Sequence, residues 1–263
     1  MGRPGMVTLG ACLLMTASLS ADEIDTTAFQ ARAVTVTEEG RPIEFRFRLL
    51  RPEPLEPGTR YPVVLFLHGA GERGDDNERQ LKFLPSWLAE PNTRRRRACF
   101  LVAPQCRAEH AWSALDWQSK QAAPLPDVPT TDLQAAIAAV DSVIADEPAA
   151  DADRLLLTGL SMGGYGSWDL AARMPDRFAA VLPICGGADA ATAPRLVPLP
   201  IWCFHGTADP LVPVELSRTM IAAVRAAGGA PILSELPGVG HDSWTPAYRN
   251  EAVLDWLFAQ RRR

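Results

Sequence analysis

One serine lies between an apolar run and a helical segment, at the centre of the five-residue pattern Gly-x-Ser-x-Gly. The pattern occupies residues 159–163 and follows the apolar run 154–158, so Ser161 stands where a strand gives way to a helix. A serine on such a turn has a strained backbone that lifts its hydroxyl clear of the sheet, and the flanking glycines avoid a clash with the neighbouring strand and helix. These features predict that Ser161 is a nucleophile.

Two backbone amides are candidates to bind the negative charge that forms when a hydroxyl attacks a carbonyl group. Met162 would begin the helix, where amides lack a partner within the helix and negative charge is favoured. The second candidate is Ala70, in the glycine-rich segment 68–77 that follows the apolar run 62–67. A plain glycine turn is the alternative for this segment. We expect His68 to organise the loop by hydrogen bonding and not to act as a base.

A serine hydroxyl needs an adjacent base, and the base needs an acid to orient it. The chain contains four histidines, which are His68, His110, His205 and His241. In one common arrangement the serine comes first in the chain, then the acid, then the histidine. Only His241 follows every plausible acid, and it lies in a glycine-rich loop after the last predicted strand. We therefore predict His241 as the base.

The acid must lie between the nucleophile and the base in the chain. The candidates are Asp169, Asp176, Asp189, Asp209, Glu215 and Glu235. Asp209 stands just past the end of the predicted strand 200–204, whereas most of the others lie within or at the end of helices and strands. We predict Asp209 as the acid, with Asp189 as the alternative, and we expect His205 to be buried beneath the loop of Asp209.

Tryptophans near the predicted strand ends are candidates to contact a substrate. Trp244 follows the predicted base by three residues and is the first candidate. Trp112 and Trp117 lie in segment 108–128, which has no clear period and several prolines, so plain packing of this loop is an equal alternative. Trp168, on the helix after the nucleophile, is expected to belong to the core.

Strands and helices alternate through the second part of the chain. The predicted strands are 33–37, 43–49, 62–67, 98–104, 154–158, 178–184, 200–204 and 232–236, and the predicted helices are 79–90, 131–145, 161–174, 214–227 and 247–260. The first two strands alternate apolar and polar residues, as in an antiparallel hairpin at a sheet edge. We predict an α/β fold with a mostly parallel sheet of about eight strands, helices on both faces, and the site at the carboxyl ends of the strands.

Length and composition fit one ordinary globular domain. The 263 residues are 47% hydrophobic and 22% charged, and nothing in the composition divides them. The net charge of −5 argues against nucleic acid or an anionic membrane surface as a partner. We expect residues 22–263 to form a single catalytic domain.

Residues 1–21 have the pattern of a signal peptide. Arg3 precedes the mostly apolar run 6–15, and small residues follow that suit cleavage before Asp22. The run is too short to span a bilayer, so we expect a secreted or periplasmic protein without stable membrane insertion. Lipid attachment at Cys12 is the alternative.

Four cysteines follow the predicted leader: Cys99, Cys106, Cys185 and Cys203. The first two bracket an extended segment, which puts their Cα atoms beyond the range of a disulfide. Free thiols are therefore expected, and a bridge between Cys185 and Cys203 remains open.

Four segments together resemble the α/β-hydrolase superfamily; they are 68–75, 159–166, 205–213 and 240–241. Within it they resemble exported esterases of the feruloyl and acetyl-xylan type and the prolyl-oligopeptidase-like group of predicted peptidases. The resemblance spans residue 61 to the C-terminus. Compared with prolyl oligopeptidases proper, the chain has no room for a propeller domain, which argues against peptidase activity.

The resemblance implies acyl transfer in two steps, without metal or organic cofactor. Ser161 would attack an ester carbonyl with His241 as base, Asp209 would orient the imidazole, and the amides of Met162 and Ala70 would hold the oxyanion. The implied function is a serine carboxylesterase acting on small-molecule esters or acylated polysaccharide. The alternatives are an acyltransferase or small peptidase on the same residues, and a non-catalytic carbohydrate- or surface-binding protein on a hydrolase fold.

Overall fold

Eight strands form one sheet in the computed structural model, which describes residues 25–114 and 124–262. The strands are β1 (Phe29–Glu38), β2 (Arg41–Leu50), β3 (Tyr61–Leu67), β4 (Phe100–Pro104), β5 (Ala150–Leu160), β6 (Ala180–Ile184), β7 (Trp202–Gly206) and β8 (Ile232–Leu236). Their order across the sheet is β1-β2-β4-β3-β5-β6-β7-β8. The pairs β1/β2 and β2/β4 are antiparallel and the others are parallel. The prediction of a mostly parallel sheet of about eight strands is confirmed.

Helices cover both faces of this sheet. They are α1 (Leu84–Ala89), α2 (Pro91–Arg96), α3 (Thr131–Asp146), α4 (Met162–Arg173), α5 (Val214–Ala226), α6 (Trp244–Tyr248) and α7 (Glu251–Ala259). Apolar side chains of α3, α4 and α5 pack on one face, and those of α1, α6 and α7 pack on the other. The α/β-hydrolase architecture is therefore as predicted.

Strand β3 pairs with β4 and β5 at its edges, and an apolar cluster covers each of its faces. Val63 and Leu65 belong to the apolar cluster on one face, whereas Val64 and Phe66 belong to the cluster on the other. A parallel strand covered by helices on both sides needs apolar residues at every position. This requirement explains the unbroken apolar run at 62–67.

The first two strands form the predicted antiparallel hairpin at the edge of the sheet. Their register pairs Phe29 with Leu50 and Glu38 with Arg41. The turn between them places Glu39 at φ 49° and Gly40 at φ 78°. Two successive residues with positive φ give the turn whose twist matches that of an antiparallel pair.

Two predicted helices are interrupted. The prediction of one helix over 79–90 is wrong, because Phe83 adopts φ 68° and separates a 3₁₀ segment, Arg79–Leu81, from α1. The prediction of one helix over 247–260 is also wrong, since the side chain of Asn250 accepts a hydrogen bond from the amide of Ala252 and caps a new helix, α7.

The turn between β5 and α4 brings three backbone segments into direct contact. Ser161 has φ 53° and ψ −118°, which is the strained conformation predicted for it. A Cβ atom on Gly163 would lie 1.9 Å from the carbonyl oxygen of Leu67 at the end of β3, and one on Gly159 would lie 2.3 Å from the carbonyl oxygen of Gly163. Only glycine fits at these two positions.

The cysteines are buried and free, as expected, and Cys185 and Cys203 are not bridged. The predicted signal peptide, Cys12 and Trp117 lie outside the described residues. Across residues 25–114 and 124–262, none of the helices has the length and apolar character needed to cross a membrane.

Replacing Gly163 by alanine should destabilise the fold, because the added Cβ meets backbone and not a movable side chain. We expect Gly163→Ala to lower the free energy of unfolding by about 3 kcal/mol or more, or to prevent folding. Urea unfolding followed by circular dichroism measures this loss. Gly71→Ala is the matched control, since a Cβ at Gly71 has open space around it. Equal stability of the two variants would contradict the close contact.

Candidate active site

Three predicted residues lie in a row at the carboxyl ends of the strands. The Nε2 atom of His241 lies 2.9 Å from the Oγ atom of Ser161, and its Nδ1 atom lies 2.7 Å from Oδ2 of Asp209. Ser161 stands between β5 and α4, Asp209 follows β7, and His241 follows β8. Since parallel strands end at the same edge of a sheet, residues 80 positions apart in the chain reach hydrogen-bond distance.

The carboxylate of Asp209 is fully enclosed, with 0% of its side chain exposed. Its Oδ1 atom accepts hydrogen bonds from the amides of Leu211 (2.9 Å) and Val212 (3.0 Å). Burial opposes ionisation, but hydrogen bonds from His205, from His241 and from these two amides outweigh it and hold the pKa of Asp209 well below its ordinary value. The carboxylate is therefore a fixed negative charge beside His241.

His205 is the buried support of the Asp209 loop, as predicted. Its Nε2 atom lies 2.9 Å from the carbonyl oxygen of Val212 and 3.4 Å from Oδ2 of Asp209, and its Nδ1 atom lies 2.7 Å from Oγ of Ser217. Because a carbonyl oxygen only accepts hydrogen bonds, Nε2 carries a proton. The ring therefore joins both ends of the loop to helix α5.

The loops that carry Asp209 and His241 are joined to each other through their backbones. The amide of Thr207 donates to the carbonyl of Leu236 (3.1 Å), and the amide of Ala208 donates to that of Val239 (2.9 Å). A Cβ atom on Gly206 would lie 2.2 Å from the carbonyl oxygen of Gly240. The pairing of β7 with β8 thus continues beyond the strands.

The two predicted oxyanion donors both begin helical segments near Ser161. Met162 is the first residue of α4, and Ala70 is the first residue of the 3₁₀ segment Ala70–Glu72. Amides at the start of a helix have no acceptor within the helix. Their positions suit the predicted role, which stays a prediction.

His68 organises the loop after β3, as predicted. Its side chain is buried, Nδ1 lies 2.6 Å from the carbonyl oxygen of Gly69, and Nε2 accepts a hydrogen bond from the amide of Cys106 (2.9 Å). Burial is the main cause that lowers the pKa of His68 to about 4, so the ring is neutral at pH 7.

The prediction that Trp112 binds substrate is wrong. Its ring is 1% exposed, and its Nε1 atom donates to the carbonyl oxygen of His68 (2.9 Å). A Cβ atom on Gly166 of α4 would lie 2.6 Å from the Cβ of Trp112, so the tryptophan packs directly on that helix. Packing between the helix and the loop after β3 encloses the ring. Trp168 is fully buried, as expected.

A cavity of about 370 Å³ opens beside Ser161. Its lining residues are Gly69, Ala70, Gly71, Glu72, Phe83, Leu160, Ser161, Leu211, Val212, His241 and Trp244. The ring of Trp244 stands edge-on to His241, with centroids 5.2 Å apart, and to Phe83, with centroids 5.4 Å apart. Trp244 therefore lies in the cleft where it was expected, and its contact with substrate stays a prediction.

Glu72, Phe83 and Leu211 are among the lining residues that were not singled out from the sequence. Glu72 could have been found from the sequence, since it belongs to the glycine-rich segment 68–77 that was predicted to lie at the site. Leu211, two residues after Asp209, is 57% exposed. Phe83 reaches the cavity because its positive φ turns the chain, which no periodicity reveals.

Asp189, the alternative acid, is engaged elsewhere. Its side chain accepts hydrogen bonds from the amide of Ala191 (2.9 Å) and from the amide of Leu125 (3.0 Å). The carboxylate thereby caps the 3₁₀ segment Ala190–Leu196 and ties it to the chain near residue 125. It does not reach His241, whose acid partner is Asp209.

Among the described residues, one group of side chains has atoms close enough to share a metal ion. Ligand atoms of Cys185, Asp209 and His241 lie within 4.8 Å of one another. Burial raises the pKa of the Cys185 thiol above its ordinary value, whereas metals bind the thiolate. Asp209 and His241 are also bonded to each other, so the chemistry of these three groups does not suit a metal.

Comparison with known proteins places the chain among esterases. The Esterase family, described as "Putative esterase", matches residues 37–202. The "Putative esterase NocK" of Nocardia uniformis subsp. tsuyamanensis is 31% identical over 203 residues, which are 76% of this chain and 54% of that protein. The chain therefore spans about half the length of this curated relative.

Solved structures agree with the fold. The crystal structure of a thermostable esterase superposes with a TM-score of 0.80 at 37% identity, over 89% of this chain and 64% of that one. An acylaminoacyl peptidase of Pyrococcus horikoshii superposes with a TM-score of 0.68 at 15% identity, over 91% of this chain and 43% of that one. The second match is a likeness of fold alone.

The buried, neutral His68 should make stability fall in acid. Its pKa of about 4 lies below the ordinary value of 6.5, so between these values the unfolded chain binds more protons than the folded one. The contribution of His68 to the free energy of unfolding is complete above pH 6.5. It falls by about 3 kcal/mol as the pH drops toward 4. Urea unfolding at pH 7 and at pH 4.5 measures it.

The variant His68→Gln should lose less stability over this interval than the wild type, because its side chain does not titrate. The control is His110→Gln, which replaces a histidine whose side chain is 45% exposed. Equal losses in the wild type and in His68→Gln would contradict the assignment.

Proposed function

Since the chain belongs to the Esterase family, we propose that it is a serine carboxylesterase that works through an acyl-enzyme on Ser161. The observation that carries the proposal is the row of two hydrogen bonds, 2.9 Å from Ser161 to His241 and 2.7 Å from His241 to Asp209. A nucleophile, a base and an orienting acid at these distances are what acyl transfer requires.

In the first step, Oγ of Ser161 attacks the ester carbonyl carbon while Nε2 of His241 takes its proton. The carbonyl oxygen becomes an oxyanion, which the amides of Met162 and Ala70 stabilise. The tetrahedral intermediate then collapses, and His241 gives the proton to the leaving alcohol. Water repeats the sequence on the acyl-serine and releases the acid.

Asp209 acts through His241. Its ionised carboxylate accepts a hydrogen bond from Nδ1 of His241, which leaves Nε2 free to take the proton of Ser161. Once His241 is protonated, the buried negative charge stabilises the imidazolium. His205 and the amides of Leu211 and Val212 hold the carboxylate in place.

The substrate class we propose is small esters or acylated carbohydrate. The cavity of about 370 Å³ beside Ser161 suits an acyl or alcohol group of modest size, with the remainder of a larger substrate outside. Its walls are mainly apolar side chains and glycine backbone, which suits an uncharged acyl group.

Replacing Ser161 by alanine should abolish hydrolysis of p-nitrophenyl acetate, because the attacking hydroxyl is lost. Replacing Asp209 by asparagine should lower kcat by about 10⁴-fold, because an amide no longer holds the imidazole of His241 in the required tautomer. Release of p-nitrophenol measures both. A fluorophosphonate should add one label per wild-type chain and none to Ser161→Ala, as read by mass spectrometry.

Ser142→Ala is the matched control, since Ser142 lies on α3 and its hydroxyl donates to the carbonyl of Ala139 in the same helix. The variant should hydrolyse and label like the wild type. Unchanged turnover in folded Ser161→Ala would contradict the mechanism. A folded wild type that hydrolyses none of acetylated xylan, methyl ferulate and p-nitrophenyl acetate would contradict the function.

We further propose that residues 1–21 direct export to the periplasm or the medium. Expression of the full chain in a bacterium should give a product whose N-terminus is Asp22, as read by mass spectrometry. The control Ala21→Phe places a bulky residue before the cleavage site and should block processing. A cytoplasmic wild-type product that begins at Met1 would contradict export.

A further inference from the structure

One carboxylate lies on the wall of the cavity beside Ser161. Among the described residues that line this cavity, Glu72 alone carries an aspartate, glutamate, lysine or arginine side chain. The other walls are formed by apolar and aromatic side chains, by glycine backbone, and by Ser161 and His241 themselves. The proposed mechanism does not use Glu72.

The carboxylate of Glu72 lacks an ion-pair partner. In the part of the chain that the structure describes, no lysine, arginine or histidine nitrogen lies within 4.0 Å of it. Burial is the largest influence on its pKa and raises it above the ordinary value, while Lys82 and the amides of Gly69 and Glu72 lower it in part. The ammonium group of Lys82 lies instead over the ring of Phe83, at 4.9 Å.

In the described part of the chain, this carboxylate has fewer hydrogen-bond donors than it can accept. Two carboxylate oxygens accept about four hydrogen bonds, and the loop supplies the amides of Gly69 and Glu72. A half-buried carboxylate in an apolar cavity is stabilised by any further donor that reaches it. The cavity is where such a donor would enter.

Glu72 stands close to both parts of the reaction centre. A Cβ atom on Gly69 would lie 3.0 Å from Oε2 of Glu72 and 2.8 Å from Cδ1 of Leu160. Gly69 precedes Ala70, the proposed oxyanion donor, and Leu160 precedes Ser161. Glu72 and Ser161 line one cavity, so a single substrate has room to contact both residues.

We propose that Glu72 is a specificity-determining residue that accepts a hydrogen bond from a hydroxyl group of the substrate. The preferred esters then carry a hydroxyl on the part that lies against Phe83 and Trp244. Phenol-bearing esters and esters of sugars or other polyols share this chemistry. The inference rests on the proposed esterase function and names the substrate class of the same cavity.

A different role for Glu72 would give a different result. If its carboxylate served only to hold the amide of Gly69, its removal would disturb the oxyanion loop and slow every ester by the same factor. If it recognised hydroxyl groups, its removal would slow only the esters that carry one. Matched pairs of esters separate the two roles.

The test measures kcat and KM for two pairs of esters. The phenol pair is methyl 3-(4-hydroxyphenyl)propanoate and its 4-methoxy analogue, and the polyol pair is glycerol monoacetate and its di-O-methyl ether. The wild type should favour the hydroxylated member of at least one pair by about tenfold in kcat/KM, chiefly through KM. The pair that shows the preference identifies the source of the hydroxyl.

The variant Glu72→Leu should bring that ratio close to one, chiefly by raising KM for the hydroxylated member of the pair. Glu72→Gln should keep part of the preference, because its amide oxygen still accepts a hydrogen bond. Glu56→Leu, at an exposed glutamate outside the cavity lining, is the matched control and should keep the wild-type ratio.

Three results would overturn the inference. One is a wild type that hydrolyses both members of each pair equally, and another is a Glu72→Leu variant that slows all four esters by one factor. The third is a stronger preference for methyl 3-(4-aminomethylphenyl)propanoate that Glu72→Gln abolishes, since this would assign the carboxylate to cations. In these cases the esterase function stands, whereas a wild type inert toward all the esters would overturn both proposals.

Discussion

The contact between the backbones of β3, β5 and α4 is the constraint on which the site depends. Gly163 and Gly159 allow the helix to start directly against the strand ends, and this arrangement holds Ser161 at φ 53°. The same contact places the loop after β3 beside Ser161, so that Ala70 and Glu72 line one cavity with it. Backbone that touches backbone has little freedom to yield, which suits a site whose distances must be kept to fractions of an ångström.

A second constraint is the burial of a charge. The Asp209 side chain is fully enclosed, and an isolated carboxylate in such a position would be costly. Hydrogen bonds from His205, from His241 and from two successive amides of the Asp209 loop offset that cost. The support extends through His205 and Ser217 to α5, so the position of Asp209 is tied to the packing of that helix.

The sequence predicted best those residues whose type is dictated by one physical requirement at their position. Ser161, Asp209 and His241 were identified because each follows an apolar strand and stands in a fixed chain order, and β3 because burial on both faces leaves an unbroken apolar run. Trp112 was misassigned, since whether a ring faces a cavity or a helix depends on packing between distant segments. The position of Phe83 in the cavity was not predicted, because it results from a single positive φ and not from a sequence pattern.

The pairing of the loops after β7 and β8 limits which parts of the site can change independently. Because the amides of Thr207 and Ala208 are paired with carbonyls of the opposite loop, and Gly206 has no space for a side chain, neither loop changes length without displacing the other. The loops that carry Asp209 and His241 therefore form one structural unit. Glu72 and Phe83 line the same cavity but lie on segments outside this pairing, so either can be replaced without displacing the loops of Asp209 and His241.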